Sequence, residues 1–301
     1  MKRLLGLALI LISAVAVLYY SQHRRPDSHV GAEGVLNALA DTEREISRIP
    51  ARLTRLSDAE EVSIGDAMAQ SYDAPRGLRT QRDREMQEYV ARVGRIVSGR
   101  ARRKLDYKFH YIADPGFVNA FALPGGHIFI GEGLIRLMDT EDELASVLGH
   151  EIEHVDDYHC AERVQVEARV RHIPLGGLMA LPVELFMAGY SKEQELEADR
   201  DGTQLAVLAG YSPQGAVHLF EQLEKLRQEY VLKAESPDEE FSKVAIQGII
   251  GYFRTHPLPQ ERLDQINEII ASKQWPKRPE RVLKVHPEQL QSARSNDSGT
   301  R

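Results

Sequence analysis

Two histidines four residues apart, with a glutamate beside the first, are the residues of this sequence best suited to chemistry: His150, Glu151 and His154 in the stretch HEIEH. On a helix, residues four apart share a face, so both imidazoles can converge on one ion at about 2.0–2.1 Å. Glu151 then reaches a metal-bound water instead of the metal, accepts its proton and passes it to a leaving amine. A metal lowers the pKa of such a water to around 7 and polarises the scissile carbonyl, so peptide hydrolysis needs neither a serine nor a cysteine nucleophile. A catalytic zinc takes three protein ligands and keeps one position open. Downstream, Glu195 and Asp199 again lie four apart. Glu195 can ligate while Asp199 accepts the second N–H of a ligating imidazole. Spacing alone does not choose among Glu193, Glu195 and Glu197.

His-Glu-x-x-His arises by chance in roughly a few of every hundred chains, so the elements around it must carry the assignment. Thr140-Glu141-Asp142-Glu143 has capping-box form, and Leu144, Val147, Leu148, Ile152 and Val155 continue an apolar stripe, which predicts one helix over about 141 to 158. Ser191-Lys192-Glu193-Gln194 opens a second, acidic helix that carries Glu195 and Asp199. Further helices are expected from Ser57-Asp58-Ala59-Glu60, over about 82 to 98, from Ser212-Pro213 and from Leu258-Pro259. Strict alternation in LDYKFHYI predicts a strand over 105 to 112. Two extended segments, about 120–123 and 127–130, flank Pro124-Gly125-Gly126, so a small sheet precedes the motif helix. The fold class is α+β and mainly helical.

With 301 residues, 42% hydrophobic and 28% charged, the chain is long enough for a sizeable core. A net charge of -7 argues against nucleic acid as a partner, and the basic cluster Arg100, Arg102, Arg103 and Lys104 reads as a solvated helix end. The single cysteine, Cys160, rules out an intrachain disulfide and a multi-thiolate metal site, which also weighs against a closed structural zinc site. His110, His127, His159, His172 and His218 are read as surface or core residues, with His159 on a different face from His154.

Residues 1–22 contain the apolar run LLGLALILISAVAVLYY and read as a signal peptide or a single membrane anchor. Residues 23–30 form a tether, 31–275 the catalytic domain and 276–301 a polar, loose tail. The catalytic part is expected outside the cytoplasm, periplasmic or anchored to the inner membrane of a cell envelope. A second apolar patch, Ile173 to Tyr190, is broken by prolines and glycines and reads as a buried or plug-like loop. The oligomeric state is not readable.

Six stretches in one order, SDAEEVSIG, YVARVGRIV, VNAFALPGGHIFIGEGLI, ELASVLGHEIEHV, ELEADRDG and THPLPQERL, resemble the HtpX-like and CaaX-prenyl-protease-like zinc metallopeptidases, a family with periplasmic BepA-type and mitochondrial Oma-type members. The resemblance covers about residues 57 to 270 and implies a zincin-type (gluzincin) fold with one zinc ion per chain. It implies that Glu195 is the third ligand beside His150 and His154, and that Asp199 orients a ligating histidine. It implies that Asn119, Ala120, Phe121, Ala122, Leu123, Pro124, Gly125 and Gly126 form an edge strand and loop on which an extended substrate adds as a strand, a known mode of peptide capture. His256 and Arg262 match positions lining the active site, the arginine suited to an oxyanion and the histidine to the open zinc position. Unfolded or misassembled envelope proteins are the substrates so implied. A chaperone-like or binding module of the same fold, with restrained proteolysis, is the competing reading. Only one apolar segment is long enough to span a membrane and no repeat domain follows, which sets the chain apart from prenyl proteases and from repeat-bearing members.

Overall fold

Paired caps start the main helices. In the computed structural model, which describes residues 56–72, 77–172, 175–233, 256 and 259–283, Ser57, Thr140 and Ser191 each accept a hydrogen bond from the backbone three residues on, and Glu60, Glu143 and Gln194 reach back. Each box satisfies backbone N–H groups that a helix start otherwise leaves bare. Helix α1 is Asp58–Ser71, and α2 is Gln81–Ser98, boxed by Thr80 and Asp83. Strands β1 (Lys108–Ile112), β2 (Ala120–Leu123) and β3 (His127–Gly131) follow, then a short α3 (Glu132–Ile135), α4 (Glu141–Asp156) and α5 (His159–Val170). The chain continues through α6 (Glu184–Met187), α7 (Lys192–Leu208), α8 (Gln214–Lys233) and α9 (Pro259–Lys273). All described residues belong to one compact unit, Arg55–Arg301. The apolar run and tether read at the N-terminus lie outside the described residues, among which no helix is long and apolar enough to cross a membrane.

The sheet has the order β1-β3-β2, with β1 parallel and β2 antiparallel to β3, so β2 is an edge strand. β1 begins three residues later than alternation predicts, because its partner begins at His127, where the Pro124–Gly126 turn ends. Tyr107, Phe109 and Tyr111 are nevertheless buried, as the alternation requires. Gly125 takes φ 73° in that turn, and a Cβ there would stand 2.5 Å from Val62 Cα of α1. Only glycine permits both the left-handed turn and this approach. Gly125 N–H also donates to the buried Glu61 Oε1 at 3.1 Å.

Helix α4 is buried along its whole length, a stronger condition than the single apolar stripe implies. Its polar residues therefore need partners. Glu141 accepts from Tyr89 and Arg92, Asp142 from the N–H groups of Ser212 and Arg281, and Asp156 from the N–H groups of Arg102 and Arg103. The basic cluster expected to be a solvated helix end is thus partly structural. Arg103 is 8% exposed and bridges Glu61 and the Val155 carbonyl, joining α1 to the end of α4. Of the expected tail, residues 284–301 lie outside the described residues. Residues 276–283 dock on the start of α4, with Val282 bridged to Thr140 and Leu283 buried, because α4's first N–H groups and acids require donors and acceptors that this segment supplies. In the second apolar patch Leu178, Leu181, Val183 and Phe186 are buried in the main core.

A candidate metal centre between two helices

Helices α4 and α7 cross at a pair of glycines. A Cβ on Gly149 would meet the Gly202 carbonyl oxygen at 2.6 Å, and one on Gly202 would meet His150 N at 2.6 Å. This backbone-to-backbone contact brings the acidic face of α7 against the histidines of α4. His150 Nε2 and His154 Nε2 stand 3.1 Å apart. Glu195, 1% exposed, places Oε2 3.5 Å from His150 Nε2 and Oε1 3.8 Å from His154 Nε2. His256 joins them, with Nδ1 2.9 Å from Glu195 Oε2. The ligand atoms of His150, His154, Glu195 and His256 all lie within 4.8 Å of one another. Donors around one tetrahedral ion at 2.0–2.1 Å stand about 3.3 Å apart, so the set fits a zinc-sized cation. Of the three acids that spacing leaves open on α7, Glu195 is the one in this set. Glu197 points to His159 instead, with Oε2 3.4 Å from its Nε2.

The histidines are aimed from behind. His150 Nδ1 lies 2.9 Å from Asp199 Oδ1, and Asp199 in turn accepts from Arg262 Nε at 2.5 Å and Nη2 at 2.7 Å. Burial opposes ionisation of Asp199, but the Arg262 guanidinium beside it holds its carboxyl below the usual range. A charged Asp199 accepts a hydrogen bond from Nδ1–H of His150, so that in the neutral ring the lone pair is on Nε2, towards the cluster. Burial likewise opposes a charge on His150, yet its bonds to Asp199 and Glu195 prevail and raise it to about 10 without a metal. His154 Nδ1 meets His159 Nδ1 at 3.0 Å. Its burial, with His150 next to it, pushes the pKa well below the ordinary value. Glu195 is held well below the carboxylate range, despite its burial, by His256 and His150.

Glu151 is 2% exposed, and its Oε2 has no hydrogen-bond partner among the described residues. Burial raises its pKa, while the charges of His150 and His256 act in the opposite direction. A buried carboxylate oxygen without a donor is costly unless something else is to meet it.

Arg262, assigned to an oxyanion by resemblance, is 2% exposed, paired with Asp199 and set over the Phe220 ring at 4.6 Å. A buried guanidinium needs carboxylate partners, and it has two here: Asp199 behind His150, and Glu195 Oε2, which lies 3.5 Å from Arg262 Nη1 at the edge of the donor set. All of Asn119–Gly126 is buried, and Pro124–Gly126 packs under α1. The register, with Gly131 N–H donating to Asn119 O, turns the main-chain groups of Ala120 and Ala122 away from β3.

His159 was missed for a definite reason. Five residues from His154 on a continuous helix, it would face elsewhere. Instead α4 ends at Asp156, Tyr158 takes φ 63°, and α5 restarts at His159, which swings back onto His154. Left-handed backbone at a tyrosine leaves no signal in residue pattern.

A candidate donor set of two histidines of one buried helix and a glutamate of a second, next to a glutamate whose Oε2 has no partner among the described residues, is that of a metallopeptidase domain of the gluzincin kind. The chain belongs to peptidase family M48, whose model matches residues 80–270. It is 29% identical over 229 residues to the beta-barrel assembly-enhancing protease of Escherichia coli K12, an alignment covering 69% of this chain and 43% of that protein. It is 29% identical over 199 residues to the mitochondrial metalloendopeptidase OMA1 of Schizosaccharomyces pombe, covering 62% and 53%. Metalloprotease LoiP of E. coli K12 is 30% identical over 191 residues, covering 58% and 73%. The chain thus spans less than half the length of the beta-barrel assembly-enhancing protease that it matches.

Proposed function

We propose that this chain is a zinc endopeptidase in which His150, His154 and Glu195 hold the metal and Glu151 moves the proton. The observation that carries the reading is the unpaired, buried Glu151 Oε2 beside a donor set of tetrahedral spacing. A zinc ion held by these residues supplies a water of pKa around 7 and polarises the scissile carbonyl. Glu151 accepts the water's proton and delivers it to the leaving amine nitrogen, and its raised pKa suits a group that must both take and release a proton. Asp199 and Arg262 keep His150 in the tautomer that ligates. An extended polypeptide pairs with the outward main-chain groups of Ala120 and Ala122, displacing the bond from Ala120 N–H to Asn119 Oδ1 at 3.0 Å and the weak contact between Cys160 Sγ and Ala122 O at 3.7 Å. His256 fills the remaining position and restrains cleavage, an arrangement favoured by its place in the donor set. The apolar N-terminal run and the relatives named above support an exported or membrane-anchored enzyme acting on unfolded or misassembled envelope proteins.

The test is digestion of casein by the purified protein, with zinc measured on the same sample. Glu151→Gln should retain one zinc per chain and lose activity by about 10²–10⁴-fold, the usual scale of a general base. Full activity in that variant would sink the assignment. His256→Ala should cleave faster than the parent; no rise would remove the restraining role and leave the ligand set intact.

A further inference from the structure

Tyr190, the last residue of the second apolar patch, touches two of the candidate metal donors. Its ring stacks on His154 with centres 4.0 Å apart and planes 17° from parallel. Its main-chain N–H donates to Glu195 Oε1 at 3.2 Å. Gly189 before it takes φ 80°, a left-handed conformation that is cheap only for glycine and turns the chain into this position. The guanidinium of Arg163 lies 4.2 Å from the centre of the tyrosine ring and is anchored on the carbonyls of Leu185 and Gly189. Two flat groups so near one ring centre cannot share a face, so Tyr190 is held between Arg163 and His154. Its hydroxyl meets Cys160 Sγ at 3.1 Å, and the same sulfur lies against Ala122 O on the outward edge of β2.

Resting on the ligand set proposed above, we propose that Tyr190 is a positioning residue for the metal site, setting the ring plane of His154 and the carboxylate orientation of Glu195. The hydrogen bond between His154 Nδ1 and His159 Nδ1 fixes where that nitrogen points but lets the ring roll about the N···N line. A flat neighbour 4.0 Å away stops the roll and holds Nε2 towards Glu195. The two oxygens of Glu195 are pinned separately, Oε1 by Tyr190 N–H and Oε2 by His256 Nδ1 and, at 3.5 Å, by Arg262 Nη1. Groups that orient ligands in this way typically govern metal affinity by 10- to 100-fold. The ring is the working part, and the hydroxyl only ties it to Cys160.

The experiment measures Zn²⁺ affinity by chelator competition and the visible absorption of the Co²⁺-loaded protein, in the full chain and in Tyr190→Phe, Tyr190→Leu and His154→Ala. Tyr190→Leu should bind Zn²⁺ about 10- to 100-fold more weakly and shift the Co²⁺ bands, and Tyr190→Phe should restore both to within about threefold. Zn²⁺ affinity within threefold of the parent in Tyr190→Leu, with unchanged Co²⁺ bands, overturns the proposal. A loss in Tyr190→Phe as large as in Tyr190→Leu overturns it too, since the hydroxyl and not the ring would then be responsible. Circular dichroism of the metal-free proteins checks folding; should the leucine variant not fold, Tyr190→Met is read in its place and the phenylalanine arm still decides. Failure of the ligand reading looks different: the parent would take up no Zn²⁺, or His154→Ala would bind it as tightly as the parent.

Discussion

His150 and His154 carry the same side chain one helical turn apart and sit in opposite electrostatic surroundings. A carboxylate backs the first and an imidazole the second. The ligand pair itself was readable from spacing, because a helix repeats its face every four residues. Their backing was only half readable: Asp199 follows from the same rule on α7, whereas His159 depends on a left-handed tyrosine. A second histidine pair, away from the metal site, makes a pH prediction. His110 Nε2 lies 3.0 Å from His127 Nδ1, His127 Nε2 lies 2.7 Å from Asp66 Oδ1, and Lys108 Nζ meets the same carboxylate. With His127 donating to Asp66, its Nδ1 accepts from His110, and both rings are neutral. Burial, then the charges of His127 and Lys108, lower His110 from 6.5 to about 4. The unfolded chain therefore binds this proton first as pH falls, so the stabilisation is complete above about pH 6.5 and is lost towards pH 4. A shift of that size corresponds to about 3 kcal/mol. Urea unfolding at pH 7 and pH 4.5 should show a smaller acid loss in His110→Phe, whose ring can keep the stack on Phe129, than in the parent; equal losses would refute it.

At the scale of elements, the crossing of α4 and α7 decides whether the donors meet. The capping boxes at Thr140 and Ser191 announce both helices, and these are the parts of the fold most plainly written in residue order. The crossing itself is not written there, since Gly149 and Gly202 become informative only once each is seen against the other's backbone. Helix propensity alone favours alanine over glycine by about 1 kcal/mol, so Gly202→Ala would stabilise a loosely packed α7. Here the new Cβ would stand 2.6 Å from His150 N, 2.7 Å from Gly149 C and 2.8 Å from His150 Cα, all backbone atoms that cannot swing away. The helices must separate, with an expected cost of about 1–3 kcal/mol. The move also carries Glu195 away from His150 Nε2, so zinc affinity should fall in step. Denaturant unfolding of the metal-free protein and chelator competition check the two effects, and a stabilised Gly202→Ala protein would show that the crossing is looser than described.

The whole molecule is closed around α4 by residues distant in sequence, and the segment after α9 is the part that composition misrepresents. Polar residues and prolines from 276 onward suggest a loose tail, because composition registers what a segment contains and not what it can complete. What it completes is the start of α4: Arg281 O accepts from Glu141 N at 2.7 Å, Arg281 N donates to Asp142 Oδ2 at 2.6 Å, and Leu283 N donates to Asp139 O at 3.2 Å. Asp142 is fully buried, and its other oxygen takes Ser212 N–H at 2.6 Å, so one carboxylate ties this segment and the approach to α8 to the metal helix. Arg278 adds bonds to the carbonyls of Val207 and Tyr211, reaching the end of α7 as well. The strap thus grips the far ends of both helices that supply the donors. Compared with a chain ended after Leu283, one ended after Trp275 lacks a charge-assisted bond and uncovers a buried carboxylate. A bond of that kind contributes about 1.5–3 kcal/mol, so the shorter protein should lose at least about 1.5 kcal/mol in urea unfolding without metal. With one of the ties between the far ends of α4 and α7 gone, zinc affinity should fall in the shorter protein as well. Equal stability of the two truncations would mean that residues 276–283 are the loose tail their composition suggests.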